Sequence, residues 1–255
     1  MAVEIRPYER NAATMLIEDC MLAANETVAE DYYWQAQPFV YRIHEKPDSE
    51  KMSRLGTFIR NFGYALHTSG DEIHPGEVQK LLDKIAGTPE EAMISRLTLR
   101  SMKQAKYTTL CSGHFGLATR YYTHFTSPIR RYPDLQIHRI IKENLHGNLT
   151  GKRISHYDSI LTEVSIQCSQ TERRADEAER ETLKLKKVQY MRNFFGQEFE
   201  GVISGITKWG IYVELPNTVE GLVHVTNMTH DHYDYDEEHY QMIGQNRCQN
   251  NEKRN

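Results

Sequence analysis

The sequence predicts an α+β protein that is helical over most of its length and rich in strands near its end. In several segments, apolar residues recur at the spacing of one helix face, and proline or glycine bounds these segments. Residues 155–193 keep this spacing without any Gly or Pro. After Gly196 the pattern changes to that of strands, with recurring glycines that suit the bends of a small β-barrel. These observations place the main division of the chain near residue 195.

Five helices and one short strand are predicted before the long helix. The first helix is predicted over residues 9–30, and Pro38 ends it before a strand at residues 39–44. Three helices follow prolines, one after Pro47, one over residues 75–87 and one after Pro89. An aromatic, strand-like stretch then begins at His114, and a fifth helix is predicted over residues 128–145. The charged middle of the long helix, residues 171–187, is interpreted as a solvated surface rather than a nucleic-acid face.

Three strands are predicted after Gly196, over residues 198–206, 209–215 and 219–225. The acidic and aromatic run at residues 230–240 is interpreted as a loop, because its carboxylates lack the spacing of a calcium-binding loop. The polar tail that follows has no strand pattern.

Composition excludes several classes of protein. The net charge of −4 over 255 residues argues against a uniformly basic coat, although a local basic groove remains compatible with it. The four cysteines form no CxxC pair, which argues against a zinc site and a disulfide framework. No apolar run approaches the roughly 20 residues of a membrane span, and the N-terminus lacks the apolar core of a signal peptide. We therefore expect a cytoplasmic, monomeric protein without a membrane partner.

Residues 121–134, "YYTHFTSPIRRYPD", combine features that suit phosphate binding. Ser127 can cap a helix and Pro128 suits its first position, which would place Arg130 and Arg131 in the first turn. Helix N-termini favour anions, and the guanidinium fork matches phosphate oxygens. The nearby aromatic rings suit unstacked bases. The alternative is a helix start with two solvated arginines, and the residues alone leave both interpretations open.

The stretch "HFGLATRYYTHFTSPIRRYPDLQIHRIIKENL" resembles the signature of the ribonuclease II/ribonuclease R (RNB) family of 3′→5′ exoribonucleases, in detail its ribonuclease R branch. The resemblance covers about residues 4–243, and the last part resembles an S1-type RNA-binding domain of the OB-fold class. It also includes three other segments, at residues 16–30, 41–48 and 168–181.

The resemblance implies roles for three residues of the helical part. Arg130 would be catalytic, beside the scissile phosphate, where it clamps the phosphate and offsets developing charge. Arg131 would face the RNA backbone, and its alternative is a solvated surface arginine. Glu18 would contact RNA near the 3′ end through ribose hydroxyls, and its alternative is an ordinary charge on the polar side of the first helix.

In the S1-type segment, Trp209, Tyr212 and His224 fall where such domains present their nucleic-acid face. The aromatic rings would stack bases, and Lys208 would attract the RNA backbone. For Tyr212 the alternative is a place in the barrel core.

The resemblance also implies a magnesium cofactor held by a cluster of aspartates that precedes the matched region, so we expect no metal ligands in this chain. The expected domains are the C-terminal part of an RNB catalytic domain (1–195), a truncated S1 domain (196–243) and a tail outside the family pattern (244–255). We thus expect a fragment that has lost both ends and is inactive alone. The alternative function is a non-catalytic RNA-binding fragment.

Overall fold

The computed structural model describes residues 4–6, 10–67, 73–237 and 240–245. Its helices and small antiparallel sheets confirm the α+β prediction. The helices are α1 (Ala12–Trp34), α2 (Ser49–Arg60), α3 (Pro75–Ile85), α4 (Glu91–Ser101), α5 (Tyr132–Leu145) and α6 (Gly151–Met191). The strands are β1 (Tyr41–Ile43), β2 (Lys106–Thr108), β3 (Val202–Thr207), β4 (Gly210–Glu214), β5 (Glu220–His224), β6 (Tyr233–Asp236) and β7 (Gln241–Gly244).

The chain forms two compact units. One, here called the corner unit, comprises Glu9–Lys46 and Lys103–Leu183. The other, here called the sheet unit, comprises Met1–Tyr8, Pro47–Met102 and Lys184–Asn255.

The corner unit is built around a core to which α1, α5, α6 and the β1–β2 pair contribute. Strands β1 and β2 are antiparallel, with Arg42 opposite Tyr107. The core consists of side chains with at most 6% exposure, namely Ala29, Tyr32, Phe39, Val40, Tyr41, Ile43, Tyr107, Ile137, Ile140, Tyr157 and Leu161. Helix α1 contributes to this core with its second half, whereas Met15, Leu16 and Ile17 near its start are exposed.

Helix α5 begins later than the sequence predicted. Residues 128–130 form a turn, Arg131 is the N-cap of α5, and the helix starts at Tyr132. The prediction that Ser127 and Pro128 open this helix was therefore wrong. The physical reason is Pro133, because a proline lacks the N–H of a helix interior and restricts the residue before it, so it belongs in a first turn.

In the sheet unit, α2, α3 and α4 pack together, and β3, β4 and β5 form an antiparallel sheet in that order. The prediction of a loop at residues 230–240 was wrong, because this run contains β6, which pairs antiparallel with β7, with Tyr235 opposite Met242. Tyr233 and Tyr235 alternate with the more polar Asp234 and Asp236, which is the period of a strand. Residues 238–239 of this run, and residues 246–255 of the predicted tail, lie outside the described residues.

No helix in the described ranges combines the length and the apolar content that a membrane span requires.

Candidate functional site

The turn at residues 127–131 presents Arg130 at the surface of the corner unit. The backbone N–H groups of Arg130 and Arg131 both donate to the carbonyl oxygen of Ser127, at 3.3 and 3.1 Å. The Arg130 side chain is exposed, and within the described ranges it has no hydrogen-bond or ion-pair partner. Its five N–H donors are therefore available to an anion.

Arg131 has a different environment from its neighbour. Its side chain is only 19% exposed, and Nη2 donates to Oδ1 of Asp134 at 2.7 Å. Asp134 is completely buried, and the same Oδ1 also accepts from the backbone N–H of Ser127 at 2.8 Å. The sequence predicted Arg131 as an RNA contact, whereas the structure places its guanidinium on a buried carboxylate.

Asn25 of α1 holds two positions of the segment that leads into the turn, which is irregular in structure. Its Nδ2 donates to the Tyr122 hydroxyl at 3.1 Å, and its Oδ1 accepts from the Phe125 N–H at 2.9 Å. His138 of α5 stacks on the Phe125 ring, with ring centres 4.4 Å apart, and bonds the Phe125 carbonyl oxygen. These contacts fix the backbone that leads into the turn.

A second set of polar side chains in the corner unit connects β1, β2 and α6. Arg42 Nη1 donates to Glu172 Oε2 at 2.5 Å, and the guanidinium lies 4.6 Å from the centre of the Tyr107 ring. The Tyr107 hydroxyl bonds His124 Nδ1 at 2.7 Å. Burial first, then the charges of Arg131 and Arg42, lower the pKa of His124 to about 3, so its imidazole is neutral at physiological pH. Burial also raises the pKa of Tyr107, so its hydroxyl keeps its proton.

Glu18 lies on α1 about two turns before Asn25. It is exposed, with 47% of its side chain accessible, and its carboxylate pairs with Arg10. The structure therefore places Glu18 on an open surface of the corner unit, paired with a cation that an RNA ligand would have to displace or share.

In the sheet unit, three predicted residues lie together at the end of the β3–β4 hairpin. Lys208 and Trp209 form the turn between these strands, and Lys208 Nζ lies 5.1 Å from the Trp209 ring centre. The His224 ring centre is 6.5 Å from that of Trp209, and Trp209 is 57% exposed. His224 Nδ1 accepts from the Thr226 N–H at 3.3 Å, which fixes the ring orientation. These rings offer an open stacking surface beside a cation.

Tyr212 lies on the face of the sheet that also carries His224, because Gly210 is opposite His224 and Tyr212 is opposite Leu222. It is half-buried. Arg96 of α4 reaches the same face and pairs with both Glu214 and Glu220. Tyr212 is thus at the more covered end of this face, whereas Trp209 is at the open end.

The described residues contain no group of three or more His, Cys, Asp or Glu side chains that could hold a metal ion. The histidines near the motif have other partners. His114 Nδ1 accepts from the Leu117 N–H at 3.3 Å, and burial together with His44 lowers the pKa of His114 to about 4. The residues that the structure describes therefore do not fit a magnesium site.

Sequence reasoning missed the residues that organise the corner. Asp134 stands inside the quoted motif, and its place three residues after Arg131 is the spacing of a helical ion pair, which was an available signal. Asn25, Arg42 and Glu172 also lie in segments that carry the resemblance. Their pairing is not readable from one sequence, because the bonded partners are about 100 residues apart or more.

Comparisons with known proteins show which families the chain resembles. The family model "RNB domain" matches residues 1–147, and the model "S1 RNA binding domain" matches residues 193–245. Ribonuclease R 1 of Lactococcus lactis subsp. lactis is 42% identical over 245 residues, which are 96% of this chain and 30% of that protein. The chain spans about a third of the length of the curated relatives that it matches.

Two solved structures extend the comparison. RNase R of Mycoplasma genitalium, in complex with ribose-methylated single-stranded RNA, matches with a TM-score of 0.87 and 27% identity, over 93% of this chain and 38% of that one. Yeast Ssd1, described as a pseudonuclease, matches with a TM-score of 0.70 and 26% identity, over 87% of this chain and 28% of that one. Because the RNB model covers more than half of its residues, the chain belongs to the RNB family, the family of ribonuclease R.

Proposed function

We propose that the chain is part of a 3′→5′ exoribonuclease of the ribonuclease R type, which degrades single-stranded or structured RNA to nucleoside 5′-monophosphates by magnesium-assisted hydrolysis. The observation that carries the proposal is the turn at residues 127–131, which offers the exposed Arg130 guanidinium at the surface of an RNB-family unit. The structural likeness to an RNase R bound to single-stranded RNA supports it.

In this function Arg130 is the catalytic residue that clamps the scissile phosphate. Hydrogen bonds to charged groups contribute about 1.5–3 kcal/mol each. A bidentate guanidinium clamp also favours the more negative transition state over the ground state. Glu18 would accept from a ribose 2′-hydroxyl, which distinguishes RNA from DNA.

The S1 part would supply a second set of RNA contacts. Trp209 would supply an exposed ring and His224 a half-buried ring beside it, and each stacked base contributes about 1–3 kcal/mol. Lys208 supplies a cation beside these rings. Tyr212 is proposed as a minor contact, because Arg96 lies on the same face of the sheet.

On its own, this chain is proposed to bind RNA without hydrolysing it. Magnesium-assisted hydrolysis requires clustered carboxylates, and the described residues form no such cluster. The division into an RNB part (1–195), an S1 part (196–243) and a tail (244–255) stays a prediction, as do the monomeric state and the cytoplasmic location. The thiols of Cys20, Cys111 and Cys168 are free, which supports a reducing compartment.

The experiment is to titrate labelled, 3′-tailed single-stranded RNA with the purified chain and to incubate both with magnesium. We expect binding, weakened by Arg130→Ala and by Trp209→Ala, without release of nucleoside monophosphates. Absence of binding would contradict the proposed RNA site. Release of nucleoside 5′-monophosphates above background would contradict the proposed inactivity of the isolated chain.

The second candidate function is non-catalytic RNA binding, and the likeness to the pseudonuclease Ssd1 favours it. The two functions differ in their need for an RNA end. A nuclease corner that receives a 3′ terminus binds linear RNA more tightly than circular RNA of the same sequence, and Arg130→Ala removes the difference. Equal affinity for linear and circular RNA would favour the non-catalytic function.

A further inference from the structure

A single buried carboxylate fixes both ends of the turn that presents Arg130. Asp134 is completely buried at the start of α5, and its Oδ1 accepts from the Ser127 N–H before the turn and from Arg131 Nη2 after it. The Ser127 carbonyl oxygen in turn accepts from the N–H groups of Arg130 and Arg131. The turn is thus closed by four hydrogen bonds that involve only Ser127, Arg130, Arg131 and Asp134.

Packing does not hold the tip of this turn. The side chain of Ile129, beside Arg130, is fully exposed, with a relative accessibility of 102%. The Arg130 side chain has no bonded partner in the part of the chain that the structure describes. Hydrogen bonds to Asp134 and Ser127 therefore determine where the Arg130 backbone lies.

The positive charge of Arg131 compensates the buried carboxylate of Asp134. An ionised carboxylate without a partner is costly in a protein interior, and breaking a buried ion pair from one side destabilises strongly. Arg131 Nη2 supplies the compensating cation to Asp134 at 2.7 Å, while Arg131 Nε has no hydrogen-bond partner among the described residues. The pair is therefore held through a single guanidinium nitrogen, and a lysine ammonium can reproduce that contact.

We propose that Arg131 and Asp134 are positioning residues that hold Arg130 ready for an RNA phosphate, and that Arg131 does not itself bind the RNA. This inference rests on the proposed RNA-binding function of Arg130. It assigns opposite tasks to two adjacent arginines, one facing the ligand and one facing a buried acid.

The decisive variant is Asp134→Asn, measured by titration of labelled single-stranded RNA. The substitution removes a negative charge, so simple electrostatics would strengthen RNA binding. If Asp134 positions Arg130, binding instead weakens by about tenfold or more, the loss of one charge-assisted hydrogen bond. Arg131→Gln should weaken binding to a similar extent, whereas Arg131→Lys should retain most of the affinity. Arg174→Gln, an exposed arginine on α6, is the matched control and should change the affinity little.

A double-mutant cycle with Arg130→Gln separates positioning from direct contact. We expect Arg131→Gln to have almost no further effect once Arg130 is absent, and the salt dependence to match that of the single Arg130→Gln variant. Additive losses, with a further fall of about 0.7 in the salt slope, mean that Arg131 binds a phosphate itself and overturn the inference. Stronger RNA binding by Asp134→Asn overturns it as well.

The proposed function fails separately, if Arg130→Gln alone leaves RNA binding unchanged. Thermal melting of each variant checks that a loss of RNA affinity is not caused by unfolding. If Asp134→Asn lowers the melting temperature too far for titration, the cycle of Arg130→Gln with Arg131→Gln and Arg131→Lys decides by itself, since Arg131 is partly exposed and its lysine variant keeps the charge.

Discussion

Arg130 and Arg131 are adjacent in the chain, yet their guanidinium groups meet different surroundings. Arg131 is turned onto the buried Asp134, while Arg130 is exposed on a turn that begins at Ser127. The residue type alone therefore does not determine the role of each arginine in this turn. The direction in which the backbone presents each side chain determines it, and Asp134 controls that direction.

Two partly buried histidines of the corner unit, His114 and His124, predict that the stability of the protein depends on pH. The pKa of His124 is lowered to about 3, by burial and by Arg131 and Arg42, and that of His114 to about 4, by burial and by His44. In the unfolded chain a histidine has a pKa of about 6.5. The unfolded state therefore binds more protons below that pH, and stability falls as pH falls from about 6.5 to about 4.

As pH falls through this window, we expect each of these histidines to lower the free energy of unfolding by up to about 1.4 kcal/mol for every pH unit. Urea unfolding between pH 7 and pH 5 measures the effect of the histidines. Carboxylates with lowered pKa values, such as Glu45 and Glu143, change the free energy of unfolding mainly at lower pH, where glutamates of the unfolded chain take up protons. His124→Gln should make the dependence shallower. An unchanged dependence in this variant would contradict the assignment.

At the scale of elements, the β4–β5 pair depends on a close backbone approach at its end. Gly210 has a φ of +140°, and a side-chain carbon there would overlap the carbonyl oxygen of Val223 on the neighbouring strand. Gly210 pairs with His224 and Tyr212 pairs with Leu222, which places Tyr212 and His224 on one face of the sheet. Glycine at this position therefore allows the sheet that carries the candidate stacking residues to close.

Gly210→Ala is expected to lower the free energy of unfolding of the sheet unit by about 1–3 kcal/mol, because it combines a strained φ with a steric overlap. Urea denaturation followed by tryptophan fluorescence measures this loss, since Trp209 is the preceding residue. Gly221→Ala on β5 is the matched control, because open space surrounds its position. Equal stability of the two variants would show that the close approach is unimportant.

Most elements were predictable from the sequence, including the short strands β1, β3, β4 and β5. Helices α1, α3 and α6 were predicted within a few residues of both bounds, and α2 and α4 within a few residues of their starts, because apolar periodicity and Pro or Gly boundaries recur over several turns. Strand β2 was missed and β6 was taken for a loop, because their three or four residues carry too little of the alternating pattern by themselves. The start of α5 was misplaced because a local capping signal at Ser127 competed with Pro133.

At the scale of the whole molecule, the net charge of −4 is compatible with the proposed RNA ligand, because individual exposed cations can contact phosphates on an acidic protein. Arg130 in the corner unit and Lys208 in the sheet unit are each presented at exposed turns. RNA should therefore bind through a few local phosphate contacts rather than through the overall field of the protein.

We expect RNA affinity to fall with salt at a logarithmic slope of about −0.7 for each phosphate that is contacted, so about −2 for three contacts. Binding titrations at several salt concentrations measure the slope, and Arg130→Gln should reduce its size by about 0.7. A slope near zero would contradict phosphate recognition by this chain.

The sequence by itself determined the fold class, the family and the residue types at the corner. These follow from periodicity and from a contiguous motif, both of which are local along the chain. Only the tertiary structure decided that Arg131 serves Asp134, that Asn25 holds the approach to the turn, and that Arg42 pairs with Glu172. The physical reason is that burial and long-range partners determine what a charge does, and neither can be read from the order of residues.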